Sequence, residues 1–344
     1  MTTRRNFLKN TTMLAAGLGV SPLLSSSPLR SYQKEEVING KVRIAVIGVG
    51  MGCRDLQGAL TDNPWVHCVG MCDVNKVRLE EQLARFKKDF PEQTVSIKAY
   101  TDFREVLANK EIDGVIIATP DHWHPYIFAE ALKAGKAIYV EKPVGNSISE
   151  CNAMMDFQKK YKGVVTTGLW QTSQRYFRAA NEILKSGVLG DVYKVQLWLC
   201  QSTNPRPSVE DSEAPSTLDY DMWLGPAPER PFNNSRFRGW RGFWDYGGGQ
   251  QTDWGVHWID SAFDGLKALG LCDREYPDAV FSIAYKDPAS FNETPSCQTS
   301  IFQYKNFHIE WAQQVAYLYN RNQGVAWVGS KALSLIHISE PTRP

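Results

Sequence analysis

A short β-branched run, Lys41-Val-Arg-Ile-Ala-Val-Ile, ends at Gly48 and opens into Gly48-Val-Gly50-Met-Gly52-Cys53. Such a run reads as a buried parallel strand. The stretch Arg54 to Leu60 behind it reads as a helix, the strand–turn–helix setting that a dinucleotide fingerprint requires. Gly48 permits the tight turn, and Gly50 lets the backbone approach a pyrophosphate at the helix N-terminus. The third position of the fingerprint holds Cys53, with Gly52 one place early. A second strand, Val66 to Cys72, ends in Asp73, 25 positions after Gly48. A carboxylate there accepts hydrogen bonds from the adenosine ribose and repels a 2′-phosphate. That favours NAD over NADP, although Lys76 and Arg78 nearby leave NADP open.

Strands and helices then alternate. Lys76 to Phe90 reads as a charged helix and Val95 to Tyr100 as a strand. The buried strand Ile112 to Thr119 runs into Pro120-Asp121-His122-Trp123-His124 and a helix, Tyr126 to Ala134. Lys136 to Val140 is a fifth strand, ending in Glu141-Lys142-Pro143. The order implies an α/β fold with a doubly wound parallel sheet over residues 40–162. Ligands of such sheets bind beyond the carboxyl ends of the strands. Thr119, Pro120, His124, Glu141 and Lys142 therefore join Gly48, Gly50, Gly52 and Asp73 as cofactor-site residues. His122 and His124 have no third ligand at suitable spacing, so no metal is expected.

A second region, 163–332, starts with a strand, Val164 to Gly168, and a helix, Arg178 to Ser186. Val192 to Cys200 alternates like a half-exposed strand. Ser202 to Arg241 is rich in Pro, Asn and Trp and reads as a loop over a site. After Gly247-Gly248-Gly249 come Asp253, His257 and Asp260, spaced i, i+4, i+7 and so on one face of a helix. A carboxylate and an imidazole one turn apart can meet on one hydroxyl, which suits proton removal coupled to hydride loss. A buried histidine satisfied by its helix neighbours is the plainer reading of that pair alone.

Glu141-Lys142-Pro143, together with the Gly-Gly-Gly…Asp253-x-Gly-x-His257 segment, resembles the Gfo/Idh/MocA family of glucose–fructose oxidoreductase and inositol dehydrogenase. The resemblance extends from about Val42 to Lys331. Trp170-Gln171, Met222-Trp-Leu-Gly-Pro-Ala-Pro228 and Trp240-Arg241 resemble its exported members. It implies a Rossmann domain followed by an α/β domain with an open, mostly antiparallel sheet, one face of which often mediates homo-oligomerisation. It also implies that Lys142 polarises the reacting hydroxyl, that His257 is the base, and that Asp253 orients both. Trp170, Gln171, Arg175, Trp240 and Arg241 become expected substrate contacts, with Thr172 standing where the subgroup often has Arg.

The ends carry other information. Thr3-Arg4-Arg5-Asn6-Phe7-Leu8-Lys9 and the mildly apolar stretch to Leu24 resemble a twin-arginine export signal over residues 1–30, implying a periplasmic destination for a protein folded with its cofactor. Residues 333–344 resemble a translated sequencing adapter, which implies a second domain cut short, and are set aside. Seven cysteines without a CxxC pair give no disulfide framework. Lys+Arg of 38 against Asp+Glu of 37 leaves a net charge of +1, no footprint for nucleic acid. No apolar run is long enough to span a membrane. Eight of the 11 tryptophans, Trp123 to Trp258, fall near the expected site, as a carbohydrate ligand would favour. The sequence therefore points to an NAD-dependent oxidoreductase acting on a sugar, glycoside or cyclitol hydroxyl with a tightly held cofactor. A redox-neutral, NAD-dependent glycosidase and a non-catalytic sugar-binding protein are the alternatives.

Overall fold

A computed structural model describes residues 40–50, 63, 65–91, 96–200, 207–271, 276–314 and 322–337. The expected export signal, Gly52 and the helix after the glycine turn lie outside the described residues.

The first unit takes the described residues up to Gly168 together with Asp211–Phe232. Its strands are β1 (Val42–Ile47), β2 (Val66–Cys72), β3 (Lys98–Tyr100), β4 (Gly114–Ile117), β5 (Ala137–Val140) and β6 (Val165–Thr167), in the order β3-β2-β1-β4-β5-β6. Every pairing is parallel. Between them run α1 (Lys76–Asp89), α2 (Phe103–Ala108), α3 (His124–Lys133) and α4 (Ile148–Tyr161). Asn75, Asp102 and Ser147 cap α1, α2 and α4 by accepting first-turn amides, as short polar side chains do. All four residues of β4 are buried, which is why its sequence is apolar throughout rather than alternating. The strand order reverses direction at β1 and β4, the crevice where such sheets hold ligands.

One expected strand changes domain. Val164 to Gly168 was read as the start of the second region, but β6 pairs with β5 and closes the edge of the first sheet. A three-residue strand carries no sequence mark of the sheet it will join.

The second unit contains α5 (Arg175–Lys185), β7 (Val192–Cys200), α6 (Tyr220–Leu224) excepted, α7 (Asn234–Arg238), α8 (Val256–Ala268) and β8 (Ala279–Tyr285) to β12. The last strands are β9 (Cys297–Gln303), β10 (His308–Gln314), β11 (Gln323–Gly329) and β12 (Leu333–His337). The sheet order is β12-β11-β7-β10-β9-β8, mixed because β7 and β10 run parallel and the other neighbours antiparallel. Residues set aside in the sequence as foreign thus begin with an edge strand, Leu333 facing Val328 and His337 facing Gly324.

Its core corrects the tryptophan expectation. Trp198, Trp258, Trp311 and Trp327 are wholly buried, and Trp123 and Trp223 of the first unit are 5% exposed. Most of the excess therefore builds cores. α5 sinks Phe177, Ala180 and Leu184 into the same cluster, and α8 sinks Trp258, Ala262 and Leu266, both at helical spacing.

Candidate functional site

The first unit offers a dinucleotide cradle. Gly48 has φ +88°, and a Cβ there would lie 2.6 Å from the Ala118 carbonyl oxygen, so only glycine fits. At Gly50 the nearest atom to a built Cβ is Arg78 Nη1 at 3.9 Å, leaving backbone open to a phosphate. Arg78, from the first turn of α1, thereby stands as a cation beside the glycine turn.

Asp73 stands at the end of β2, 8% exposed. Its Oδ2 accepts from the Val49 amide at 3.0 Å and its Oδ1 from the Asn75 amide at 2.8 Å. The carboxylate thus pins the glycine turn. Burial pushes its pKa up, while those two amides and Arg78 pull it back only in part.

At the end of β4, the buried Thr119 Oγ1 has no hydrogen-bond partner among the described residues. An orphaned hydroxyl beside an open glycine turn fits a polar cofactor. The expected pair His122 and His124 turns to backbone instead. His122 Nε2 lies 3.0 Å from the Trp223 carbonyl, which also accepts from Trp123 Nε1 at 3.0 Å. His124 Nδ1 meets the Pro143 carbonyl at 2.7 Å and its Nε2 the Thr119 carbonyl at 2.9 Å. It braces the ends of β4 and β5 against each other from an almost fully buried position, rather than presenting a ring edge to a ligand. Pro120 starts the turn Asp121–Trp123, accepting from the Trp123 amide.

Glu141 also works within the protein. Its Oε1 accepts from the Tyr139 hydroxyl at 3.1 Å and its Oε2 from the Lys142 amide at 3.3 Å. A Cβ on Gly168 would lie 2.7 Å from that Oε2, so glycine is what lets β6 run past the carboxylate. Burial, then the Glu141 charge, raises the Tyr139 pKa. Lys142 follows with a cis bond to Pro143.

The second unit brings Asp253, His257, Trp170, Trp240 and Arg241 into one cluster. The expected helix comes in two parts: Gln251–Gly255 is a π turn, and Val256 onward is α-helical. The turn is tethered to β9, where Gln298 donates to Gln251 and Ser300 Oγ donates to Gln251 Oε1 at 3.4 Å. Asp253 Oδ1 receives Arg241 Nε at 3.1 Å, the carboxylate side chain 13% and the arginine 45% exposed. The Arg241 guanidinium lies 4.1 Å over the Trp240 ring.

His257 is 3% exposed and on the buried stripe of α8. Trp170 meets its ring edge-on at 5.6 Å, and Trp254, unmarked in the sequence, lies at 6.1 Å. Trp170 is 45% exposed, so part of its indole remains accessible while it contacts the imidazole. Gln171, in contrast, is buried, its Oε1 accepting from the Tyr176 hydroxyl at 3.1 Å. Arg175 opens α5 as an exposed residue. Among the described residues no group of three or more metal-ligating side chains occurs.

Comparison with known proteins adds the lineage. Residues 42–169 match the Gfo/Idh/MocA "Oxidoreductase family, NAD-binding Rossmann fold", and residues 178–267 match its "C-terminal alpha/beta domain". The alpha-N-acetylgalactosaminidase of Tannerella forsythia is 33% identical over 163 residues, 43% of this chain and 34% of that protein. The inositol 2-dehydrogenase of Salmonella typhimurium is 24% identical over 151 residues, 43% of each chain. The matches thus span less than half the length of those relatives. Among solved structures, GenD2 from gentamicin A biosynthesis, in complex with NAD, superposes with a TM-score of 0.65 at 18% identity, covering 93% of this chain and 75% of that one.

Proposed function

Because the chain belongs to the Gfo/Idh/MocA family of NAD-binding oxidoreductases, we propose that it oxidises a hydroxyl of a sugar, glycoside or cyclitol, using an NAD that it holds tightly. The observation that carries this reading is the cluster around His257: a buried imidazole, a partly accessible indole at Trp170, and a carboxylate held by Arg241. An indole face suits the C–H faces of a sugar ring. The Arg241 contact holds the Asp253 carboxyl in place, where it can accept from a substrate hydroxyl.

A bound NAD would supply the hydride acceptor. His257 takes the hydroxyl proton as general base, and Lys142 donates to the hydroxyl oxygen. Gly48, Gly50, Arg78, Asp73 and Thr119 would hold the dinucleotide, and Glu141 and His124 set the chain around Lys142. The exposed row Phe281, Ile283, Tyr285 and Ile301 on β8 and β9 supports self-association. Export through the Arg4-Arg5 leader remains part of the proposal, since loading in the cytoplasm would supply a cofactor scarce outside it.

The test is a panel of sugars and cyclitols offered to the NAD-loaded protein, with nicotinamide absorbance recorded at each addition. Lys142→Ala and His257→Ala should each slow turnover by two orders of magnitude or more with unchanged circular dichroism. Near-normal turnover in both would sink the assignment. A second reading rests on the 33% identical glycosidase: transient oxidation would ease loss of an aglycone, and aglycone release with no net NADH would select it.

A further inference from the structure

The stretch Asp211–Phe232 comes after part of the second unit in sequence, yet it packs with the first. Its neck is pinched by a bridge between Ser212 and Phe232, with the Ser212 amide donating to the Phe232 carbonyl at 2.9 Å. From there it attaches at two places.

The first attachment is the loop after β2. Leu218 bridges Asn75, the Lys76 amide donates to the Thr217 carbonyl at 2.9 Å, and the Asp219 amide donates to the Val74 carbonyl at 3.0 Å. This loop begins at Asp73, the carboxylate at the ribose position. The second attachment is the turn after β4. The Trp223 carbonyl takes both ring donors of His122 and Trp123, and Gly225 lies so close to Trp123 that a Cβ would fall 2.0 Å from its ring. That turn follows Thr119, whose hydroxyl is orphaned. Met222 packs on the core of the sheet, and Leu218, Trp223, Leu224 and Phe232 are buried.

β2 and β4 flank β1, the strand that ends in the glycine turn. The short helix α6 (Tyr220–Leu224) leads from the first attachment into the second, so one continuous segment ties the loop after β2 to the turn after β4. We propose that residues 211–232 complete the cofactor site as a strap across the mouth of the crevice, and that the strap limits how fast NAD leaves. This deepens the tight-cofactor reading above and rests on it.

Leu218→Ala loosens the first attachment, and Gly225→Ala, at φ +49° and against Trp123, the second. NADH-loaded wild type and both variants are mixed with excess NAD, and NADH release is followed by stopped-flow fluorescence. Each variant should release NADH at least tenfold faster, with wild-type circular dichroism. Because either variant could fail to fold, hydrogen exchange on the wild-type protein is the second measurement. NAD should slow exchange at the Lys76, Asp219 and Gly225 amides. Release at the wild-type rate from folded variants, or no NAD-dependent protection of those amides, overturns the strap. Wild type that loses its NAD on desalting, while the variants still lose it tenfold faster, removes the tight-cofactor reading and leaves the strap standing.

Discussion

Asp73 accepts the Val49 and Asn75 amides while its neighbourhood resists its charge. Its folded-state pKa is raised, chiefly by burial. Its contribution to the stability of the NAD-free fold is therefore fully present below the unfolded pKa and is lost as pH rises through the folded one. A ribose hydroxyl donates more strongly to the ionised form than to the protonated one, so NAD affinity should increase as pH rises through that raised pKa. Asp73→Asn should flatten this dependence and weaken NAD binding about 10- to 100-fold at neutral pH, the worth of a hydrogen bond to a charged group. Fluorescence titration across the acid range checks both, and an unchanged slope in the variant would contradict the role. Residue chemistry of this kind was readable beforehand: the strand, the glycines and the acid lie within one local unit, and their spacing alone implied their work. What could not be read was that Asp73 also pins the turn, or that His124 and Glu141 spend their polar atoms on the protein, because those partners lie across the sheet ends.

At the scale of elements, β7 and α1 coincide with their expected spans to within a residue. The π turn before α8 was not legible, since its sequence fits a 3.6-residue period as well as any other; its tie to β9 through Gln251 is a tertiary contact. Gly265 shows the same override. Alanine in a helix interior normally gains about 1 kcal/mol over glycine. Here the added methyl would sit 2.7 Å from Trp327 Nε1 and 2.9 Å from Leu184 Cδ1. Gly265→Ala should therefore destabilise the protein by about 1–3 kcal/mol and shift the helix that carries His257. Urea unfolding measures the first effect; a stabilised variant would show that the packing can relax.

For the whole molecule, the chain is partitioned in space differently from its order in sequence: one segment inside the second half of the chain builds the first unit. NAD binds the first unit, so ligand at about 100 times its Kd should stabilise that unit by about 2.7 kcal/mol. Calorimetry with and without NAD should show an upward shift in the transition followed by a first-unit probe such as Trp123. An unshifted transition would mean that the described cradle does not bind NAD.

The sequence by itself determined the parallel sheet of the first unit and the dinucleotide turn with its acid, which follow from local periods and short spacings. The second sheet and the roles proposed for Lys142, Asp253 and His257 came from its resemblance to a family. Only the tertiary structure decided which tryptophans are core and which face outward, that β6 joins the first sheet, and that residues 211–232 return to it. Burial and long-range pairing depend on what an element finds opposite it, and an apolar side chain looks the same in sequence whether it meets a core, a partner strand or a ligand.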